Sequence, residues 1–283
     1  MSAAILIGIV TRNRAGILPK ALASALAQAV PNLQVAVIDD GSTDDTSKLR
    51  TQFPQVSWVR RETGQGYMSA RNELMARPGY DFFVSLDDDA WFLRTDEIAV
   101  ALQLLNAQPS VAAIAFDILS PDRAQEAERT APQPTAVFIG CGHMLRLSAV
   151  REVGDYEATP GNYGGEEKDL CLRLMDAGHQ VVRLPGVHVW HDKTMVARDF
   201  PQQLRSGVCN DLVIALRRTP LVLLPVALPA KFWRHLVFAW RIGMLTPCFA
   251  GFGLFLGSLP TAWWLRKPVR VQTLRAYMRL ARM

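Results

Sequence analysis

Between residues 5 and 115 the chain repeats one figure. A short apolar run is followed by a polar cluster and then by apolar residues at helical spacing. The runs are Ile5–Val10, Val35–Ile38, Val56–Val59, Phe82–Leu86 and Val111–Ala115. Each is too short for a helix and too continuously apolar for a strand with one wet face. Between them Ile17, Leu18, Leu22, Ala25, Leu26 and Ala29 predict a helix closed by Pro31. Further helices are predicted over Thr43–Gln52 (capped by Ser42 or Thr43), Tyr67–Ala76 and Asp96–Leu105. Strands alternating with helices in this way imply an α/β fold, a mostly parallel Rossmann-like sheet covered by helices on both faces.

Residues 117–136 hold three prolines and no apolar period, so a mobile loop is expected there. Order returns with short strands at Val137–Ile139 and Met144–Leu147, a helix over Glu166–Ala177 ended by Gly178, and strands at Val181–Leu184 and Val187–Trp190. After Pro201 the chain turns to apolar helices with Arg and Lys at intervals. There the charge separates. Residues 201–283 carry 12 Lys and Arg against the single acid Asp211, whereas residues 1–200 have 19 against 25 acids. The basic part also holds Trp233, Trp240, Trp263 and Trp264. Cations mixed with long apolar runs suit a membrane surface and do not form the polar stripe that nucleic acid requires. The start, MSAAILIGIV, lacks a basic segment and reads as a first strand, so the acidic part is expected in the cytoplasm. Four scattered cysteines without a CxxC pair fit a reducing compartment.

Open α/β sheets bind ligands beyond the carboxyl ends of their strands. Those ends read Thr11-Arg12-Asn13-Arg14, Asp39-Asp40-Gly41-Ser42 and Asp87-Asp88-Asp89. An Asp-Gly pair is also ordinary turn chemistry. Three adjacent carboxylates repel one another and suit Mg²⁺ or Mn²⁺; a solvated acidic turn is the other reading. Two glycines before the helix that carries Arg71 favour an anion. Glu166-Glu167-Lys168-Asp169 opens a helix after a Gly-rich stretch. Acids there suit the helix dipole, and one of them can also act as a general base. His188 and His191 alternate to opposite faces of a strand and so do not share a metal. Walker, GxGxxG and GxSxG patterns are absent.

Taken in order, ILIGIVTRNR, VAVIDDGSTDDT, GQGYMSARN, FVSLDDDA, FIGCGHMLRLSAVREVGDY, GGEEKDLCLRLMDAGH and RLPGVHVWH resemble the family 2 glycosyltransferases of the GT-A fold. The resemblance runs from Ile5 to His191. It implies an inverting transferase that uses a nucleotide-diphosphate sugar and a divalent metal, Mg²⁺ or Mn²⁺. By position, Thr11 and Arg14 border the nucleotide, Asp39 and Asp40 contact base and ribose, and Arg71 lies near the pyrophosphate. Asp87 and Asp89 match the DxD motif around Asp88, with Asp89 the direct metal ligand. His191 matches the histidine near the metal. Gly140 to Gly142 line the sugar and acceptor cleft. Glu167 stands where the family has its catalytic aspartate, with Glu166 second and Asp169 supporting.

The resulting plan is a GT-A catalytic domain over 1–200, with a nucleotide-binding half at 1–116 and an acceptor half at 137–200. A C-terminal helical membrane-associating region follows over 201–283. Residues 220–283 are expected to lie on the cytoplasmic face of the cell membrane, as a peripheral or monotopic anchor that favours a glycan or lipid-linked acceptor. The 24 uncharged residues Ile242–Leu265 offer transmembrane insertion as the alternative, whereas Leu221–Ala230 is too short to span. Two other functions fit parts of the pattern. A non-catalytic adaptor would explain Glu167 in place of aspartate. A nucleotidyltransferase would need a basic glycine-rich loop that TRNRAG does not provide.

Overall fold

The computed structural model describes residues 3–193 and 199–282. The chain divides into two compact units, one of residues 1–155 with 177–194, the other of residues 156–176 with 195–283.

In the first unit the elements in chain order are β1 (Ile5–Thr11), α1 (Leu18–Leu26), β2 (Leu33–Asp39), α2 (Leu49–Gln52), β3 (Ser57–Arg60), α3 (Tyr67–Met75), β4 (Phe82–Asp87), β5 (Ala90–Phe92), α4 (Glu97–Ala107), β6 (Val111–Leu119), β7 (Gln133–Pro134), β8 (Gly142–Arg146) and α5 (Leu147–Val153). After α6 (Glu166–Asp176), which belongs to the second unit, β9 (Gln180–His191) completes the sheet. The strand order is β3-β2-β1-β4-β8-β6-β9-β5, with β7 paired to β9. The segment from β3 to β4 is parallel, as the continuous apolar runs require. Beyond it the sheet is mixed, because β8 enters antiparallel between β4 and β6. Both faces are covered. Ile5, Ile7 and Ile9 share one core with Leu18, Leu22, Ile98 and Leu105 of α1 and α4. On the other face Gly8 leaves room for Phe83 and for Leu74 of α3, which a Cβ there would meet at 2.5 Å and 2.9 Å.

Several local expectations are corrected. Thr43–Gln52 is a 3-10 turn at Asp45–Lys48 running into the short α2. Its cap is Asp44, which accepts the Thr46 N–H, and not Ser42 or Thr43. Ser42 instead accepts the N–H of Asn13 at 2.9 Å. Val137–Ile139 forms only an isolated bridge. The two strands expected at 181–184 and 187–190 are one, β9, because Pro185-Gly186 makes an irregularity and not a break. Gly186 has φ +80° there, and its N–H donates to Asp117.

The 117–136 segment is tied down by polar contacts, which leave no apolar period to read. Asp117–Leu119 extends β6, and β7 pairs with β9. Arg129 forks onto Asp96 at 2.6 Å and 2.7 Å, and the Ala127 N–H donates to His188 Nε2 at 3.1 Å. His188 is fully buried, and burial holds its pKa below the usual histidine value. Its role is structural.

The second unit consists of α6 with α7 (Phe200–Arg218), α8 (Leu224–Arg241), α9 (Leu245–Trp264) and α10 (Val271–Leu280). Val208, Cys209, Leu212 and Leu216 of α7 form a core with Ala239, Cys248 and Phe255. Gly251 lets α9 approach α7 closely, since a Cβ there would meet the Arg205 carbonyl at 2.7 Å. The run expected to be too short at Leu221–Ala230 is part of a helical stretch, Leu221–Arg241, that by length and composition could cross a membrane, as could Leu245–Trp264. Pro225 lies in the first turn of α8, where no amide donor is needed, so it starts the helix and does not break it. All four cysteines are buried, and none forms a disulfide among the described residues.

Candidate active site

The parallel register sets Thr11 beside Asp39 and Val10 beside Asp87, so the three polar strand ends emerge at one level of the sheet. Asp39 is 1% exposed. Its Oδ1 accepts the Ser42 N–H at 2.8 Å, Arg60 Nε stands 3.8 Å from Oδ2, and Oδ2 accepts no hydrogen bond from the described residues. A buried acceptor without a donor is costly in isolation and suits a ligand hydroxyl or imide N–H.

Asp40 is differently employed. It accepts the N–H groups of Gln65 and Gly66 at 2.9 Å and 2.8 Å and pairs with Arg61 at 2.9 Å. Burial opposes its charge, but these donors outweigh burial and hold its pKa below the usual aspartate value. Asp40 therefore clamps the 63–66 loop. Gly41, at φ +82°, permits this, because a Cβ would sit 2.8 Å from the Gly64 nitrogen.

The three consecutive aspartates part company. Asp87 is bound by Arg71 at 2.6 Å, and the same guanidinium donates to the Gly140 carbonyl at 3.2 Å. Asp88 accepts the Thr11 hydroxyl at 2.8 Å. Burial pushes the Asp88 carboxyl up to about 7; Thr11 and Arg14 oppose the rise, and Asp87 and Asp89 add to it. Asp89 is buried, with His191 Nε2 at 3.2 Å and Arg14 Nη1 at 3.6 Å.

Ligand atoms of Asp87, Cys141 and His191 lie within 4.8 Å of one another. Cys141 carried no signal in the sequence, because only the Gly140–Gly142 turn sets its thiol against Asp87. Burial, then the Asp87 charge, drives its pKa well above the ordinary thiol value, so it stays protonated. A protonated thiol is a poor ligand for a hard cation. Asp87 and Asp89 each lie near His191, and two carboxylates with an imidazole are an O,O,N set of donor types that suits Mn²⁺ well and Mg²⁺ acceptably. Gly142 is buried, and a Cβ there would meet Ile118 at 2.7 Å.

The remaining candidates belong to the second unit. Glu166 is buried, Glu167 is partly exposed, and Asp169 is buried at the start of α6. Asp169 is held by Arg218 at 2.6 Å and by Arg173 at 2.8 Å. Those cations outweigh burial and keep its pKa below the usual value, so Asp169 braces α6 against α7. Of the two glutamates, Glu167 is the one that solvent reaches.

Asn210, on α7, was not legible as a site-supporting residue. Its amide donates to the carbonyls of Gly161, Tyr163 and Gly164 at 2.9, 3.1 and 2.8 Å and accepts the Gly161 N–H at 2.8 Å. It thereby shapes the loop that leads into Glu166 and Glu167. Asn210→Ala is expected to cost about 2–4 kcal/mol, since its two N–H donors, shared among three carbonyls, and its accepting oxygen amount to about three bonds at ~0.5–1.5 kcal/mol net each. Chemical denaturation checks this; a loss under 1 kcal/mol would mean that the loop holds itself.

The family described as Glycosyl transferase family 2 matches residues 6–154. A pre-mycofactocin glycosyltransferase of Mycobacterium tuberculosis is 27% identical over 197 residues, which takes in 62% of this chain and 41% of that protein. The chain thus spans less than half the length of this relative. Among solved structures, GalNAc-T7 with UDP, GalNAc and Mn²⁺ superposes with TM-score 0.65 at 12% identity, over 81% of this chain and 51% of that one. The mannosyltransferase PcManGT from Pyrobaculum calidifontis, in complex with GDP-Man and Mn²⁺, gives 0.61 at 18% identity, over 98% and 85%. These similarities establish the GT-A fold.

Proposed function

This chain belongs to glycosyl transferase family 2, and from that premise we propose that it transfers a sugar from a nucleotide-diphosphate donor to a glycan or lipid-linked acceptor with inversion. The observation that carries the proposal is that Asp87 and Asp89 each approach His191 at the same end of the parallel sheet as the buried Asp39. Asp39 accepts from the nucleoside. Thr11 and Asp88 fix each other, Arg14 borders the phosphates, and Arg71 orients Asp87. Asp87, Asp89 and His191 would hold a divalent cation, which would supply Lewis-acid charge to the leaving diphosphate. Glu167 takes the proton from the acceptor hydroxyl as that oxygen attacks C1 from the face opposite the leaving group. The new glycosidic bond forms as the C1–phosphate bond breaks, and the proton stays on Glu167.

The second unit is proposed to rest on a membrane surface, with an acceptor assembled there. Its support is the row Val226, Trp233 and Trp240 on α8, exposed by 73%, 67% and 70%. Apolar and Trp side chains of this kind suit a lipid interface.

Thermal unfolding in UDP, dTDP, GDP or CMP, each with and without Mn²⁺, tests the donor site. A ligand at ~100 times its dissociation constant adds about 2.7 kcal/mol, a shift of a few degrees. One diphosphate is expected to stabilise the protein in a manganese-dependent way. If none does, the nucleotide reading fails.

A further inference from the structure

Asp211 on α7 is the only acid in residues 201–283. Around its carboxylate stand Lys168 at 2.5 Å, Lys231 at 2.6 Å, His235 at 3.0 Å and Arg234 at 3.2 Å. Lys168 comes from α6, while Lys231, Arg234 and His235 come from α8 at spacings of three and four, so they share one face of that helix. Three fixed cations therefore face a single carboxylate, with a titratable imidazole beside them. One carboxylate cannot neutralise this set. Unbalanced charge that is partly withdrawn from water is costly unless an anion completes it.

The local electrostatics agree. Burial opposes the charge on Asp211, but His235, Lys168 and Lys231 hold it well below the ordinary aspartate value. Burial, and then the neighbouring Lys168 ammonium, pushes Lys231 below the ordinary lysine value. Burial also opposes the charge on Lys168, but Asp211 outweighs it and holds that lysine above the ordinary value, so the strain falls on Lys231. Arg234 is the open member, its side chain 66% exposed, whereas those of Lys168, Lys231 and His235 are 24%, 18% and 17% exposed. The cluster therefore has a solvent-facing mouth. Trp233, the residue before Arg234, belongs to the exposed apolar row of α8.

We propose that Lys168, Lys231, Arg234 and His235 form a phosphate-binding site that takes a phosphomonoester or diphosphate group, with Arg234 as its entry donor. It deepens the membrane reading of the second unit by naming the chemistry recognised there, and it does not depend on sugar transfer. Lys168 keeps N–H donors beyond the one given to Asp211, and with the exposed Arg234 guanidinium these suit phosphate oxygens. The phosphate can be borne by a lipid or be free in solution.

Sedimentation of the full-length protein with phosphatidylcholine vesicles containing phosphatidic acid tests the proposal. Arg234→Gln and the double variant Lys231→Gln/Arg234→Gln are compared with Arg275→Gln/Arg279→Gln. The latter removes two exposed charges from α10. The double variant is expected to bind at least tenfold more weakly and Arg234→Gln severalfold more weakly, with the α10 control within about threefold of the wild type. Thermal melting verifies that Arg234→Gln, an exposed change, remains folded. Inorganic pyrophosphate, added without divalent metal so that the donor site is not engaged, separates the sources. Competition at low concentration assigns the site to free phosphates, and failure to compete assigns it to lipid-borne phosphate. Equal losses in the α8 and α10 variants, or none in either, would overturn the site and leave only general surface charge. Donor binding at the strand ends is unaffected in either case, so this failure and that of the transferase reading are distinguishable.

Discussion

Asp89→Ala is expected to weaken manganese-dependent nucleotide binding at least 100-fold, while the protein without ligand still unfolds cooperatively. The first effect follows from its position. Asp89 is buried against His191 and Arg14, and its loss removes a carboxylate from the O,O,N donor set and releases the imidazole that it orients. Loss of an outer-shell partner alone typically costs 10–100-fold in metal affinity, and loss of a direct ligand costs more. The second follows from the neighbours. Asp87 and Asp88 no longer repel a third carboxylate, which offsets the lost pairing with Arg14. Asp88→Asn provides the contrast. Its amide oxygen can still accept the Thr11 hydroxyl, and burial already pushes the Asp88 carboxyl up to about 7. It is expected to reduce binding less than tenfold. Calorimetric titration of nucleotide with and without Mn²⁺ checks both; equal losses in the two variants would remove the distinction drawn between the aspartates.

Glu167→Gln is expected to leave nucleotide affinity within about twofold and to lower transfer by about 10²–10⁴-fold, the range for loss of a positioned general base. That corresponds to about 3–5 kcal/mol of barrier. The amide keeps the size and polarity of the side chain but cannot take the acceptor proton. Glu166→Gln acts through packing, because Glu166 is buried. Its effect should appear mainly as lost stability. Single-turnover transfer with preloaded donor separates the two. Full turnover by Glu167→Gln would move the base elsewhere, first to Glu166.

Much of this architecture was readable because parallel strands buried on both faces must be continuously apolar. Their ends must then carry whatever polar chemistry the sheet supports. Thr11, Asp39 and Asp87 stood out for that reason, and the register brings them level. The antiparallel entry of β8 was not readable, since pairing over a long separation leaves no local trace. Asp40 and Asp39 are adjacent and chemically identical. Only the folded loop shows one clamped by Gln65, Gly66 and Arg61 and the other left with an unused oxygen. The 117–136 segment looked mobile because ion pairs such as Arg129 with Asp96 carry no periodic signature. Cys141 and Asn210 were missed on similar grounds. A thiol between glycines and a lone Asn in an apolar helix read as packing until the chain brings Asp87 to one and the Gly161–Gly164 carbonyls to the other.

The central claim is metal-dependent transfer from a nucleotide sugar, and nucleoside diphosphate release tests it most directly. The full-length protein is incubated with UDP-, dTDP- and GDP-sugars, a membrane extract as acceptor pool, and Mn²⁺ or EDTA. One nucleotide class is expected to yield its diphosphate in Mn²⁺, with release abolished by EDTA and by Glu167→Gln. Manganese-dependent nucleotide binding without diphosphate release from any donor would contradict the claim and make the chain a nucleotide-binding adaptor.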